Sequence, residues 1–131
     1  MLCDKQVMIV EDDVRLALDL SNAVESLDGI VVGPVGTMEE AFAIVRSQSI
    51  AAAVLGFELP DGGTIPLARA LIKKRVPFVI QANTYIPSSL SVLRPGIPVL
   101  IKPIDPQDVV SILAFEVARY ELDLSYGGSP D

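Results

Sequence analysis

The sequence predicts an α/β domain, a three-layer αβα sandwich in which a mostly parallel sheet is covered by helices on both faces. Three observations predict it. Short apolar runs alternate with segments of helical periodicity along nearly the whole chain, the pattern of βαβ units with right-handed crossovers. The runs are continuously apolar rather than alternating, as strands buried on both faces require. The chain has 131 residues, 50% of them hydrophobic, which is enough apolar material for one compact core and too little for two.

Each element has a local reason. Gln6 to Val10 is the first apolar run and ends in Glu11-Asp12-Asp13, after which Leu16, Ala17, Leu20, Val24 and Leu27 recur at helical spacing. Ile30 to Val35 is a second, β-branched run, and Thr37 with Glu40 forms a capping box that opens a helix with Met38, Ala41, Phe42 and Val45 on one face. Ala51 to Leu55 is the third strand; the turn Leu59-Pro60-Asp61-Gly62-Gly63 leads into a helix over Ile65 to Lys74. Pro77 to Ile80 is the fourth strand and Pro98 to Ile101 the fifth. Between them Pro87 and Pro95 bracket so few residues that the fourth helix is expected to be short, irregular or missing. Asp105 caps the last helix, with Pro106 at its first position, where a missing N–H costs nothing. Residues 1–122 are read as a single domain and 123–131 as a C-terminal tail, because Gly127-Gly128-Ser129-Pro130-Asp131 frays.

Composition removes several functions. Lys plus Arg number 10 against 17 Asp plus Glu, a net charge of −7, opposite in sign to what nucleic acid or an anionic lipid surface attracts. The longest apolar stretch, Ile50 to Phe57, is far short of the ~20 residues a spanning helix needs. Neither a long apolar leader segment nor a cleavage site follows Asp4 and Lys5, so a cytoplasmic protein is expected. One cysteine, Cys3, and no histidine leave no thiolate or imidazole metal site and no Ser-His or Cys-His nucleophile pair.

In open α/β sheets, ligands bind beyond the carboxyl ends of the strands. The residues there are Glu11-Asp12-Asp13, Gly36-Thr37, Gly56-Phe57-Glu58, Gln81-Ala82-Asn83 and Lys102-Pro103. Three acids and a lysine on one edge suit a hard divalent cation or a phosphoryl group. Equally, Asp12 or Asp13 caps the first helix and Lys102 neutralises the acids. Spacing alone does not separate the two readings.

The chain resembles the response-regulator receiver domains of two-component signalling. The resemblance rests on Val7-Met8-Ile9-Val10-Glu11-Asp12-Asp13, on Ala53-Val54-Leu55-Gly56-Phe57-Glu58-Leu59-Pro60-Asp61-Gly62 and on Pro98-Val99-Leu100-Ile101-Lys102-Pro103. It covers about residues 6 to 118 and implies a flavodoxin-like, doubly wound (βα)5 fold of strand order 2-1-3-4-5. In such receivers an Asp ending the third strand accepts a phosphoryl group from a histidine kinase, and Mg²⁺ is held by that Asp and an acid pair. A Ser or Thr after the fourth strand and a Lys after the fifth bind the phosphoryl oxygens. Carried over, Glu11 and Asp12 match the acid pair and Lys102 the lysine, but Gly56 stands at the acceptor and Ala82 at the hydroxyl. The phosphorylation pocket is thus degenerate: glycine has no nucleophile and alanine no donor. Glu58 points to the side of residue 56 only if the strand continues, and Asp61 belongs to the turn, so neither is expected to substitute. With two carboxylates in place of three, no cofactor is required and Mg²⁺ binding at Glu11 and Asp12 is expected to be weak or absent. Lys102, deprived of its partner, is expected to pair with Asp12 or Glu11.

On the last helix Val109, Val110, Leu113, Ala114 and Val117 are assigned to the core. Ile112, Phe115 and Leu122, with Arg119 among them, form a second stripe on the opposite side, an interaction face for a partner or a homodimer. The alternative has Phe115 packing under residues 85–96. Asp19 and Glu25 on the first helix read as a solvated face.

The expected function is a receiver-like signalling domain that acts by protein–protein interaction without phosphorylation. It is not expected to be an enzyme, and its partners would be a histidine kinase, a phosphotransfer protein or another signalling protein. Two readings compete with it. One is an active phosphorelay receiver using Glu58 or Asp61; the other is a flavodoxin-like ligand-binding protein or phosphate-handling enzyme, disfavoured because no loop has the Gly/Ser/Thr density of a phosphate cradle.

Overall fold

The computed structural model describes residues 1–83 and 97–125. Its order is β1 (Gln6–Val10), α1 (Val14–Ser26), β2 (Ile30–Val35), α2 (Met38–Ser47), β3 (Ala52–Gly56), β4 (Glu58–Leu59), β5 (Gly62–Gly63), α3 (Ile65–Lys73), β6 (Phe78–Ala82), β7 (Val99–Ile101) and α4 (Pro106–Ser125). The main sheet runs β2-β1-β3-β6-β7 with every pairing parallel. Counting only these five strands along the chain, the order is the expected 2-1-3-4-5.

The period-2 geometry of the strands sends successive side chains to opposite faces. Met8, Val10, Ala53, Leu55, Phe78 and Ile80 pack with α2 and α3 residues such as Ala41, Val45, Leu67 and Leu71. Val7, Ile9, Ala52, Val54 and Val79 pack on the other face with Leu20 and Val24 of α1 and with Val109, Val110, Leu113 and Val117 of α4. Burying each large apolar side chain contributes about 1.5–3 kcal/mol, so both helix layers are held by the same central strands.

The caps follow from residue type. Asp13 Oδ1 accepts the N–H groups of Arg15 and Leu16 at the start of α1, which leaves Asp12 free of that role. Thr37 Oγ1 accepts from Glu40 N–H, while Glu40 Oε1 takes the Gly36 N–H. Asp105 Oδ1 accepts from Gln107 N–H at 2.8 Å.

Three expectations are revised. The turn after β3 is an antiparallel hairpin, β4 pairing with β5, and Gly62, at φ +134°, occupies a conformation that L side chains rarely adopt. The last helix runs on to Ser125, three residues past the boundary expected at 122. Ile112 packs against the α1/α4 core instead of joining the outer stripe, since its position on the helix borders the buried arc. The expected short fourth helix and the end of the tail lie outside the described residues.

Candidate functional site

The carboxyl edge of the sheet brings the predicted residues together. Glu11 follows β1, Gly56 ends β3, Ala82 ends β6 and Lys102 follows β7. Strands lie ~4.8 Å apart, so β1 and β7, three steps distant, are separated by roughly 14 Å. Two long side chains close that gap. Lys102 Nζ lies 3.2 Å from Glu11 Oε1, and the pair arches over the ends of β3 and β6. A β-carbon placed on Gly56 would stand 3.4 Å from the same Glu11 oxygen. Glu11 therefore leans into the space an aspartate at 56 would use.

Glu11 is 4% exposed, and a carboxylate so buried requires partners. It has two: Lys102 on Oε1 and the Asp13 N–H on Oε2, at 3.1 Å. Of the two lysine partners named from sequence, the structure selects Glu11. Asp12, the other acid of the pair, is exposed. No group of three metal-ligating side chains occurs among the described residues, and both Glu11 oxygens are already engaged.

The two stand-in carboxylates are placed elsewhere. The strand stops at Gly56, and Glu58 lies exposed in the small hairpin. Asp61 is committed: its Oδ1 and Oδ2 accept the N–H groups of Met38 and Glu39 at 2.8 and 3.0 Å, staples the hairpin to the start of α2 and supplies that helix terminus with negative charge. These two backbone hydrogen bonds hold its carboxyl below the usual value. Sequence reading assigns Asp61 to the turn; its second role depends on a contact 22 and 23 residues away, for which no local pattern exists.

Ala82 is buried, and its carbonyl accepts the Lys102 N–H at 2.8 Å. Beside it, Gln81 is the register partner of Gly56 and projects to the α1/α4 face, as Val79 does two residues before. It is 1% exposed, and neither Oε1 nor Nε2 has a hydrogen-bond partner. Sequence reading places Gln81 at the strand end without assigning it a role. The signal available was a carboxamide closing an otherwise apolar run, Phe78-Val79-Ile80.

On α4, Phe115 is 67% and Leu122 54% exposed. Arg119 lies between them and reaches Glu116.

No protein-family model matches the sequence, and no curated protein matches it significantly. Solved structures do match. The chain is similar to a CheY-like response regulator receiver domain protein from Methanospirillum hungatei, at 18% identity and TM-score 0.81, over 92% of this chain and 98% of that one. It is similar to the HemR receiver domain from Leptospira biflexa, at 23% identity and TM-score 0.75, over 88% and 95%. It is also similar to the response regulator PhyR from Brucella abortus, at 25% identity and TM-score 0.77, covering 95% of this chain and 52% of PhyR. These structural neighbours are response-regulator receiver domains, and the chain has their parallel α/β fold. Among the described residues, no helix is long and apolar enough to cross a membrane.

Proposed function

We propose that the chain is a receiver-like module of two-component signalling that works by binding other proteins and is not phosphorylated at the end of its third long strand. One observation carries the reading: residue 56 is a glycine covered by the Glu11–Lys102 ion pair. The lysine that would meet a phosphoryl oxygen is engaged with a buried carboxylate, and no nucleophile stands below it. The partners that suit such a module are a histidine kinase or a phosphotransfer protein, towards which it acts as adaptor or decoy. Phe115 and Leu122 on α4 supply an apolar contact for a partner or a second copy.

A phosphorelay receiver with a different acceptor is the second reading. Glu58 alone keeps it open, being exposed, because the Asp61 carboxylate is taken by α2. The test is intact-mass analysis after exposure to acetyl phosphate and Mg²⁺, beside the Gly56→Asp variant. The native chain is expected to stay unmodified while the variant gains one phosphoryl group. A phosphoryl gain on the native chain would overturn the proposal, and peptide mapping would then locate the acceptor.

A further inference from the structure

The main sheet ends in β2 on one side and β7 on the other, and the two edges are built differently. On the β2 side the register slips between Met8 and Val10, where Gly33 stands at φ +97° and Pro34 brings no N–H. A bulge and a proline are ordinary means of making an edge unfit for a further strand. β7 has neither. Val99-Leu100-Ile101 is uninterrupted, uncharged and aliphatic, and Ile101 is 47% exposed. The Pro98 carbonyl accepts the Ile80 N–H, and the Lys102 N–H donates to the Ala82 carbonyl. Pro98, Leu100 and Lys102 thus turn their backbone groups towards β6, and those of Val99 and Ile101 face outwards. Among the described residues no strand pairs with that outer side. Pro98 does not guard it, because the N–H that proline lacks would have pointed to β6.

We propose that β7 pairs edge to edge with β7 of a second copy of this chain, the two strands antiparallel about a two-fold axis at Leu100. With Leu100 opposite its own copy, Val99 lies opposite Ile101 of the copy as a hydrogen-bonded antiparallel pair. The Val99 N–H donates to the Ile101 carbonyl of the copy, the Val99 carbonyl accepts the Ile101 N–H, and the two-fold repeats both bonds. Every outward group of the strand then has a partner, and the half-buried Leu100 side chains meet across the axis. Charge selects a copy over a foreign strand. Lys73, Lys74 and Arg75 are exposed at the end of α3, just before β6, whereas Asp105 and Asp108 are exposed where α4 begins, just after β7. The β6–β7 register sets Ile80 beside Val99; continued through the two-fold, it brings Pro103 of the copy level with Phe78. The acids that open α4 in each copy are thereby carried towards the basic turn of the other. Lys102 falls opposite Pro98 of the copy and is already answered by Glu11. The net charge of −7 repels copies at long range and so short a strand buries little area, so the dimer is a weak one formed at high concentration. It does not rest on the reading above, since this edge is the same whether or not any carboxylate is phosphorylated.

The test is sedimentation equilibrium of the full chain up to millimolar concentration, joined to amide hydrogen exchange followed by NMR at both ends of that range. The 14.0 kDa chain is expected to approach twice its mass, while the Val99 and Ile101 amides exchange more slowly as the dimer forms. Ile101→Pro removes an outward N–H and none of the bonds to β6, so it should weaken the dimer by about tenfold or more with an unchanged circular dichroism spectrum. Ile101→Lys, which keeps the backbone intact and puts a charge on the edge, should act in the same direction, as should Lys74→Glu. Phe115→Ser, on the outer side of α4, should leave the dimer unchanged. The proposal is overturned if the chain stays monomeric throughout, if it dimerises without slowing these two amides, if none of the Ile101 and Lys74 variants weakens the dimer, or if Phe115→Ser is the variant that dissociates it.

Discussion

Glu11 and Gln81 are buried polar side chains at one edge of one sheet, and their surroundings differ in kind. Glu11 carries a charge and is answered by an ammonium and a backbone N–H. Gln81 is neutral and is answered by nothing in the protein. The contrast separates two roles for a buried polar group. Removing a partner from Glu11 would strand a charge, whereas removing the Gln81 amide would relieve an unmet demand. Glu11 is part of what holds this edge together, and the Gln81 carboxamide has no partner within the protein.

Lys102→Met tests the first half of the contrast and should have the largest effect. It leaves the Glu11 carboxylate buried without a counter-charge, and about 3 kcal/mol of stability should be lost, the lower end for a broken buried pair because 22% of the lysine side chain is exposed. Urea unfolding measures it, and the double variant Glu11→Leu/Lys102→Met should recover most of the loss. If the single variant were as stable as the native chain, the pair would contribute nothing.

Gly56→Asp pushes a second carboxylate against Glu11, with its Cβ 3.4 Å from Oε1. A loss of about 1–3 kcal/mol is expected from crowding and like charge, partly recovered by added Mg²⁺, since the variant has a third carboxylate. Gly56→Ala meets only ordinary contacts at 3.4–3.6 Å and should hold stability or raise it by up to about 1 kcal/mol. Thermal melts of the two variants, with and without the cation, separate charge from volume.

Gln81→Leu should move the other way, gaining about 1–2 kcal/mol as the unpaired amide is removed. A loss of that size would show that the amide is satisfied in solution and that the contrast with Glu11 is false.

Asp61 is an intermediate case, exposed but fully partnered. Its folded pKa lies below the ordinary 3.8, so the stability it contributes is complete above that value and disappears as pH falls through the folded pKa. Asp61→Ala should therefore melt below the native chain at neutral pH, and the two curves should converge in acid. Phe115→Ser should have the smallest effect, within about 0.5 kcal/mol in urea unfolding, because an exposed ring has little to lose.

Much of this architecture is legible in the residues because it is local. Continuous apolar runs give the strands, Thr37 and Asp105 announce their helices, and Val109 to Val117 mark the buried arc of α4 at helical spacing. What is not legible is set by placement in space. Asp61 reads as a turn residue because its partners lie in another element. The hairpin of β4 and β5 is too short for a periodic signal. Motif matching shows what is absent at residues 56 and 82, but the Gln81 carboxamide becomes conspicuous only once the sheet register sets it beside Gly56.

The ion pair over Gly56 joins residues 91 positions apart, nearly the first strand to the last. Such a contact cannot form until β7 has docked beside β6, so it belongs to the end of the folding reaction, after the loop-closure entropy has been met by apolar packing. Kinetically it is expected to act as a latch. Breaking it with Lys102→Met should leave the refolding rate almost unchanged and place nearly the whole loss of stability in faster unfolding. The same pair that covers Gly56 is thus expected to set how long the folded chain persists once made.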